Sequence, residues 1–206
     1  FSQSPSQSNE GSVRIVQLLR QENSIRRYPD ALPSLLKMLN EQSNARFDTD
    51  PLFINTLTDE RLLENPILYI NCDEQPNLEF PQEERDALRR YMEQGGFIYL
   101  DAGIKASFLG QDLGHSYAAW EERPEVKELF SKILPEKTFI PLGRDHDLFR
   151  TFFTGLPKNK DLEIQTEQKR LPETVLSFVE REKWPQATYS FVGIKVKGRL
   201  ACVASP

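Results

Sequence analysis

The residues of this chain that could do chemistry cluster just after short apolar runs. Asn71, Cys72, Asp73 and Glu74 follow the run at 67–70, and Asp101 and Gly103 follow the run at 97–100. Arg144, Asp145 and His146 follow 138–142, and Arg26, Arg27 and Tyr28 come soon after 13–19. Cys72 or His146 working with Asp101 would give a hydrolase or amidotransferase-like enzyme, in which a nucleophile or base is held by a carboxylate. The alternative is a non-catalytic binding or protein-interaction module. There Arg27, Tyr28, Asn71, Asp73, Asp101, Arg144 and His146 would hold a protein or small-molecule ligand through hydrogen bonds and charge.

Local context favours the binding module. Cys72 lies between Asn71 and Asp73, with no glycine to permit the strained turn that exposes a nucleophile. Asp73 and Glu74 oppose a thiolate, so Cys72 is not expected to attack a substrate. The loop QENSIRRYPD after the first apolar run has no glycine, so neither a dinucleotide fingerprint nor a phosphate loop is present. The only histidines are His115 and His146. In Asp145-His146-Asp147 the side chains at i and i+2 diverge. The pair Asp48-x-Asp50 opens like a calcium loop, but Phe53 stands where that loop needs glycine and Asp59 where it needs glutamate. No metal or cofactor is expected, and His146 reads most simply as a helix-capping or packing residue. Cys72 and Cys202 read as small buried apolar residues.

Composition narrows the partners. The chain has 26 basic and 31 acidic residues among 206, a net charge of −5, which opposes a phosphate backbone and argues against nucleic acid. Mean hydropathy is −0.54, and no stretch approaches the ~18 apolar residues of a membrane span. The segment 1–12 is Ser/Gln-rich and aperiodic; it reads as a flexible leader, suited to a mature exported protein. Phe80, Trp120 and Trp184, set beside Pro or charged residues, read as cover for the sheet edges, or else as a protein-binding patch.

These residues need a scaffold, and the periodicity supplies one. Strands are expected at 13–19, 52–55, 66–72, 97–100, 138–142, 189–196 and 199–204. Leu32, Leu35, Leu36 and Leu39 fall on one helical face behind an Asp30 cap. A short helix covers 58–64. The helix opened by Pro81 buries Ala87, Leu88, Tyr91 and Met92, pairs Asp86 with Arg90 and stops at Gly95. Its first-turn Glu83 and Glu84 and its late Arg89 and Arg90 complement the helix dipole. Val126, Leu129, Phe130 and Ile133 mark another helix, and 146–153 a short one. Residues 156–186 read as long loops with at most one strand, and Lys197-Gly198 as a tight hairpin turn. Strand–helix alternation predicts one α/β domain over 13–206: a three-layer sandwich with a mainly parallel, doubly wound sheet and a C-terminal β-hairpin. In such sheets ligands sit beyond the carboxyl ends of the strands. Asp101 and His146 close two of those ends and are expected side by side.

The segments YPDALPSLLKMLNEQS, LLENPILYINCDE, FPQEERDALRRYMEQGGFIYLDAG, PLGRDHDLFRTFF and GIKVKGRLACVAS, in this order, resemble an uncharacterised bacterial domain-of-unknown-function family (number four-one-five-nine). The resemblance implies a flavodoxin-like or class I glutamine amidotransferase-like fold. It also implies a setting in exported proteins, periplasmic or cell-envelope associated, or at the ends of membrane-anchored proteins with von Willebrand factor A domains. Relatives tend to have a Gly-His-Gly-like turn after the third strand where this chain has Asn71-Cys72-Asp73. They often carry a second Asp where it has Ala102, so the polar cluster is altered here.

Overall fold

The computed structural model describes residues 11–20, 29–75, 78–101, 124–142, 146–150 and 191–205. Short runs rich in branched and aromatic residues form the strands β1 (Ile15–Leu18), β2 (Leu52–Ile54), β3 (Ile67–Asn71) and β4 (Phe97–Asp101). Later come β5 (Ile140–Pro141), β6 (Val192–Val196) and β7 (Arg199–Ser205). Among the described residues the α-helices are α1 (Ala31–Gln42), α2 (Gln82–Glu93) and α3 (Pro124–Ile133). The seven strands among the described residues join one sheet in the order β2-β1-β3-β4-β7-β6-β5. The first five in that order are parallel; β6 and β5 add antiparallel at one edge. The chain runs from β1 outward to β2, then crosses back to β3 on the other side, so the strand order reverses between β1 and β3.

Register assigns the faces. Gln17 pairs with Tyr69, Tyr69 with Tyr99 and Tyr99 with Val203, while Asn71 pairs with Asp101 and Asp101 with Ser205. Because side chains alternate along a strand, these residues share one face. The opposite face carries Val16, Leu18, Leu68, Ile70, Ile98, Leu100 and Cys202, all buried. It packs against Leu88, Tyr91 and Met92 of α2 and Val126, Phe130 and Ile133 of α3. Each large apolar side chain removed from water there contributes ~1.5–3 kcal/mol. On the first face, Ile15, Ile67 and Tyr69 meet Leu32 and Leu36 of α1, with Phe47. Helices therefore lie against both faces of a mainly parallel sheet, as the alternation predicts.

The differences from expectation are local. The expected first-helix face narrows to Leu32 and Leu36; Leu35 is exposed, and Asp30 makes no side-chain cap. The helices expected at 58–64 and 146–153 are 3-10 turns at Glu60–Leu62 and Asp147–Phe149, with 151–153 outside the described residues. Asp86 accepts from Gln82 Nε2 at 2.8 Å, while Arg89 of the same helix pairs with Glu93 and Glu136. The hairpin is as expected: Lys197 and Gly198 have φ of +49° and +82°, matching a type I′ turn. Phe80 is buried in the core cluster. Trp120, Trp184, the segment 156–186 and nearly all of the leader lie outside the described residues.

Candidate functional site

The carboxyl edge of the parallel strands is where this sheet can present polar groups. Strand β3 ends at Asn71, and a 3-10 turn, Cys72–Glu74, takes the chain over that edge. Three hydrogen-bonded pairs cross the face there. Gln17 Nε2 donates to Glu74 Oε2 at 2.9 Å, and Tyr69 Oη donates to Asp101 Oδ2 at 3.1 Å. Tyr99 Oη and Ser205 Oγ share a bond of 2.9 Å. The rings of Tyr69 and Tyr99 stack, centroids 5.8 Å apart. Burial and the Asp101 carboxylate push the Tyr69 phenol well above its ordinary value, and burial raises Tyr99 despite the Ser205 bond. Both phenols therefore remain protonated at neutral pH, and Tyr69 is the donor in its bond to Asp101.

Toward β2 the edge is tied by Glu84 of α2. Its Oε1 accepts from Thr56 Oγ1 at 2.7 Å and from Leu57 N at 3.2 Å, and its Oε2 pairs with the Arg20 guanidinium. Arg20 lies over the Phe80 ring, 4.4 Å from its centroid. Such a buried, multiply satisfied carboxylate locks α2 to the ends of β1 and β2.

A cavity of about 730 Å³ lies between the loop after β3, the start of α2 and α3, walled by Gln75, Leu78, Phe80, Pro81, Arg85 and Leu129. Gln75 Nε2 donates to Leu18 O at 2.9 Å, which clamps the loop after β3 to the end of β1. The volume lies within the ~300–1,000 Å³ typical of small-molecule sites.

Asn71 and Asp101 are register neighbours at this edge, as expected, and Asp73 belongs to the turn that follows. Arg26, Arg27, Tyr28, Gly103, Arg144 and Asp145 lie outside the described residues. The catalytic candidates do not converge. Cys72 is buried in the apolar cluster on the face opposite Asp101. Cys202 lies in the same cluster, where burial and the neighbouring Cys72 push its thiol up. His146 Nδ1 accepts from Leu148 N at 3.2 Å, capping the turn that starts at Asp147. That is the capping role its sequence context predicts, and it replaces the expected pairing with Asp101, which accepts from Tyr69 instead.

Sequence reasoning did not single out Gln17, Tyr69, Tyr99, Ser205, Arg20, Gln75 or Arg85, and it gave Glu84 only a helix-dipole role. The visible signal for Tyr69 and Tyr99 was a polar residue two positions on, Asn71 and Asp101, in otherwise apolar strands. Among the described residues no three His, Cys, Asp or Glu side chains group to hold a metal ion, and no helix is long and apolar enough to cross a membrane. No curated protein and no solved structure matches the chain. Residues 14–205, nearly the whole sequence, match the family described as "Domain of unknown function (DUF4159)", and the chain belongs to that family.

Proposed function

We propose that this domain is a non-catalytic binding module that takes its ligand in the crevice beside the carboxyl ends of β1 and β3. The observation that carries the reading is the engagement of each catalytic candidate. Cys72 packs in the core, His146 caps a turn and Asp101 accepts from Tyr69. The order β2-β1-β3-β4-β7 supports a flavodoxin-like arrangement, in which ligands occupy the crevice where strand order reverses. The polar leader and the exported company kept by the family support a cell-envelope location, which cell fractionation tests.

The experiment is a thermal-shift screen of the whole chain against a diverse small-molecule library, run beside turnover assays with ester and amide substrates. A ligand that binds only the folded chain raises its melting temperature by mass action. The expected result is ligand-dependent stabilisation without turnover, with Cys72 and Cys202 both resistant to iodoacetamide near neutral pH. Rapid, selective alkylation of Cys72, or turnover lost in Cys72→Ala, overturns the reading in favour of a hydrolase.

A further inference from the structure

We propose that the 3-10 turn Cys72–Glu74, with the Gln75 that follows it, is a latch: it opens apart from the rest of the fold and gates the crevice between the ends of β1 and β3. The inference rests on the binding-module reading and adds how that site is opened and closed.

The sheet itself parts at this point. Strand β1 pairs with β2 as far as Leu18 and Ile54, and β3 pairs with β4 as far as Asn71 and Asp101. Between β1 and β3 the register stops earlier, at Gln17 and Tyr69. Leu18 O accepts from Gln75 Nε2 at 2.9 Å, so a side chain stands where the ladder would continue. Gln17 Nε2 and Glu74 Oε2 make a second tie, also at 2.9 Å. Within the turn, the bond from Gln75 N to Cys72 O is long, 3.4 Å, at the weak end of hydrogen bonding.

The closed position is not fully satisfied. Gln75 is 7% exposed, and with Nε2 on Leu18 its Oε1 is buried without a partner. Such an acceptor raises the energy of the closed form and regains water when the turn lifts. The frame around the turn is firmer. Glu84 holds α2 to the ends of β1 and β2 through Thr56, Leu57 and Arg20. Gln75 also walls the cavity beside α2 and α3, so lifting the turn joins that space to the carboxyl ends of β1 and β3. Segments tied by a few side-chain bonds open at less than the cost of global unfolding.

The molecule carries its own reporter. Cys72 starts the turn and is 1% exposed, while Cys202 lies within β7 and is fully buried. A reagent reaches Cys72 when the latch opens and Cys202 only when the sheet comes apart.

The test labels the whole native chain with excess iodoacetamide over hours, at several low urea concentrations, and follows each cysteine by mass spectrometry. Cys72 is expected to react about 10²–10³ times more slowly than an open thiol, as for a form populated at about 0.1–1%. It is expected to react at least about tenfold faster than Cys202, with a weaker dependence on urea. Gln75→Ala and Glu74→Ala each remove one tie and are each expected to speed Cys72 about tenfold. Glu74 is half-buried, so its variant serves even where Gln75→Ala fails to fold. Arg199→Met loosens the far end of α2, a contact that survives latch opening, and is expected to speed Cys202 but not Cys72. Library compounds that stabilise the wild-type chain are expected to bind Gln75→Ala about tenfold more tightly, since the closed form competes less. Equal rates and equal urea dependence at the two cysteines overturn the latch and leave the module reading standing. So do a Cys72 rate unchanged in both turn variants, faster Cys72 in Arg199→Met, or compounds that bind Gln75→Ala no more tightly. Turnover of ester or amide substrates overturns the module reading and leaves the latch standing. Wild-type Cys72 that labels as fast as an open thiol overturns both.

Discussion

Glu84 shows how far one residue's role can depart from its local setting. A glutamate in the first turn of a helix is accounted for by the dipole alone, yet this one is buried and receives Thr56, Leu57 and Arg20. Glu84→Ala leaves a guanidinium and an amide without their acceptor, and chemical denaturation is expected to show a loss of ~3 kcal/mol. Glu84→Gln keeps one acceptor and is expected to lose less. Asp48 gives the pH-dependent case. Burial raises its carboxyl, but the Arg14 hydrogen bond, the Asp50 amide and the Arg14 charge together hold it below the ordinary 3.8. A depressed carboxyl stabilises the fold above its unfolded value, and that contribution is lost as pH falls through the folded one. Asp48→Asn is therefore expected to cost up to about 1 kcal/mol at neutral pH, with the difference from wild type vanishing in strong acid. Urea melts at several pH values check this. What was legible at this scale was short-range: the capping role of His146 lies within two residues of its partner. Glu84 and the Tyr69–Asp101 bond were not legible, because their partners come from other strands and loops, and nothing in the sequence around a carboxylate names a distant donor.

At the scale of elements, the corner between α2 and β4 concentrates several constraints. Gly95 has φ +117°, which ends the helix, and a Cβ at Gly96 would overlap the Tyr91 ring. That ring cannot step aside easily, since it is buried and Tyr91 Oη donates to Asn65 O at 3.0 Å. Gly96→Ala is expected to cost ~1–3 kcal/mol through overpacking, with the fold otherwise intact by circular dichroism. The end of α2 is capped from outside. Arg199 donates to Met92 O and, at 2.9 Å, to Gly96 O, while Lys197 Nζ reaches Glu93 O at 3.1 Å. Arg199→Met is expected to lose ~1–2 kcal/mol, the worth of charged hydrogen bonds to carbonyls left open at a helix end. The buried stripe of α2 was readable from its 3.6-residue period. Its real cations were not, since Arg89 and Arg90 stand in the expected place while the hairpin supplies the caps. The first helix was over-read for a related reason: four leucines share a face, but only Leu32 and Leu36 reach the sheet.

At the scale of the whole molecule, the last strand in sequence is interior to the sheet. Strand β7 lies between β4 and β6, parallel to one and antiparallel to the other, and its residues from Ala201 to Ser205 are all buried. Removing residues 199–206 takes away both partners' pairing and is expected to abolish the cooperative unfolding transition, seen as loss of a sigmoidal thermal melt. Retention of a sharp transition in the truncated chain would sink this expectation. Alternation of strands and helices gave away the parallel sheet, because crossovers of that length permit little else. The position of β5 was not readable. A two-residue strand has no pattern of its own and goes where β6 leaves an open edge.

The interior place of β7 also governs how the molecule comes into being. Strands β1 to β4 leave the ribosome early, but the neighbour that completes β4 is made only after everything between Asp101 and Arg199. At ~5–20 residues per second, that interval lasts several seconds. Throughout it, one side of β4 offers unpaired amides and carbonyls to any extended chain nearby. The half-made protein is thus most open to mispairing along a seam that the finished molecule hides, and conditions that slow synthesis lengthen that exposure.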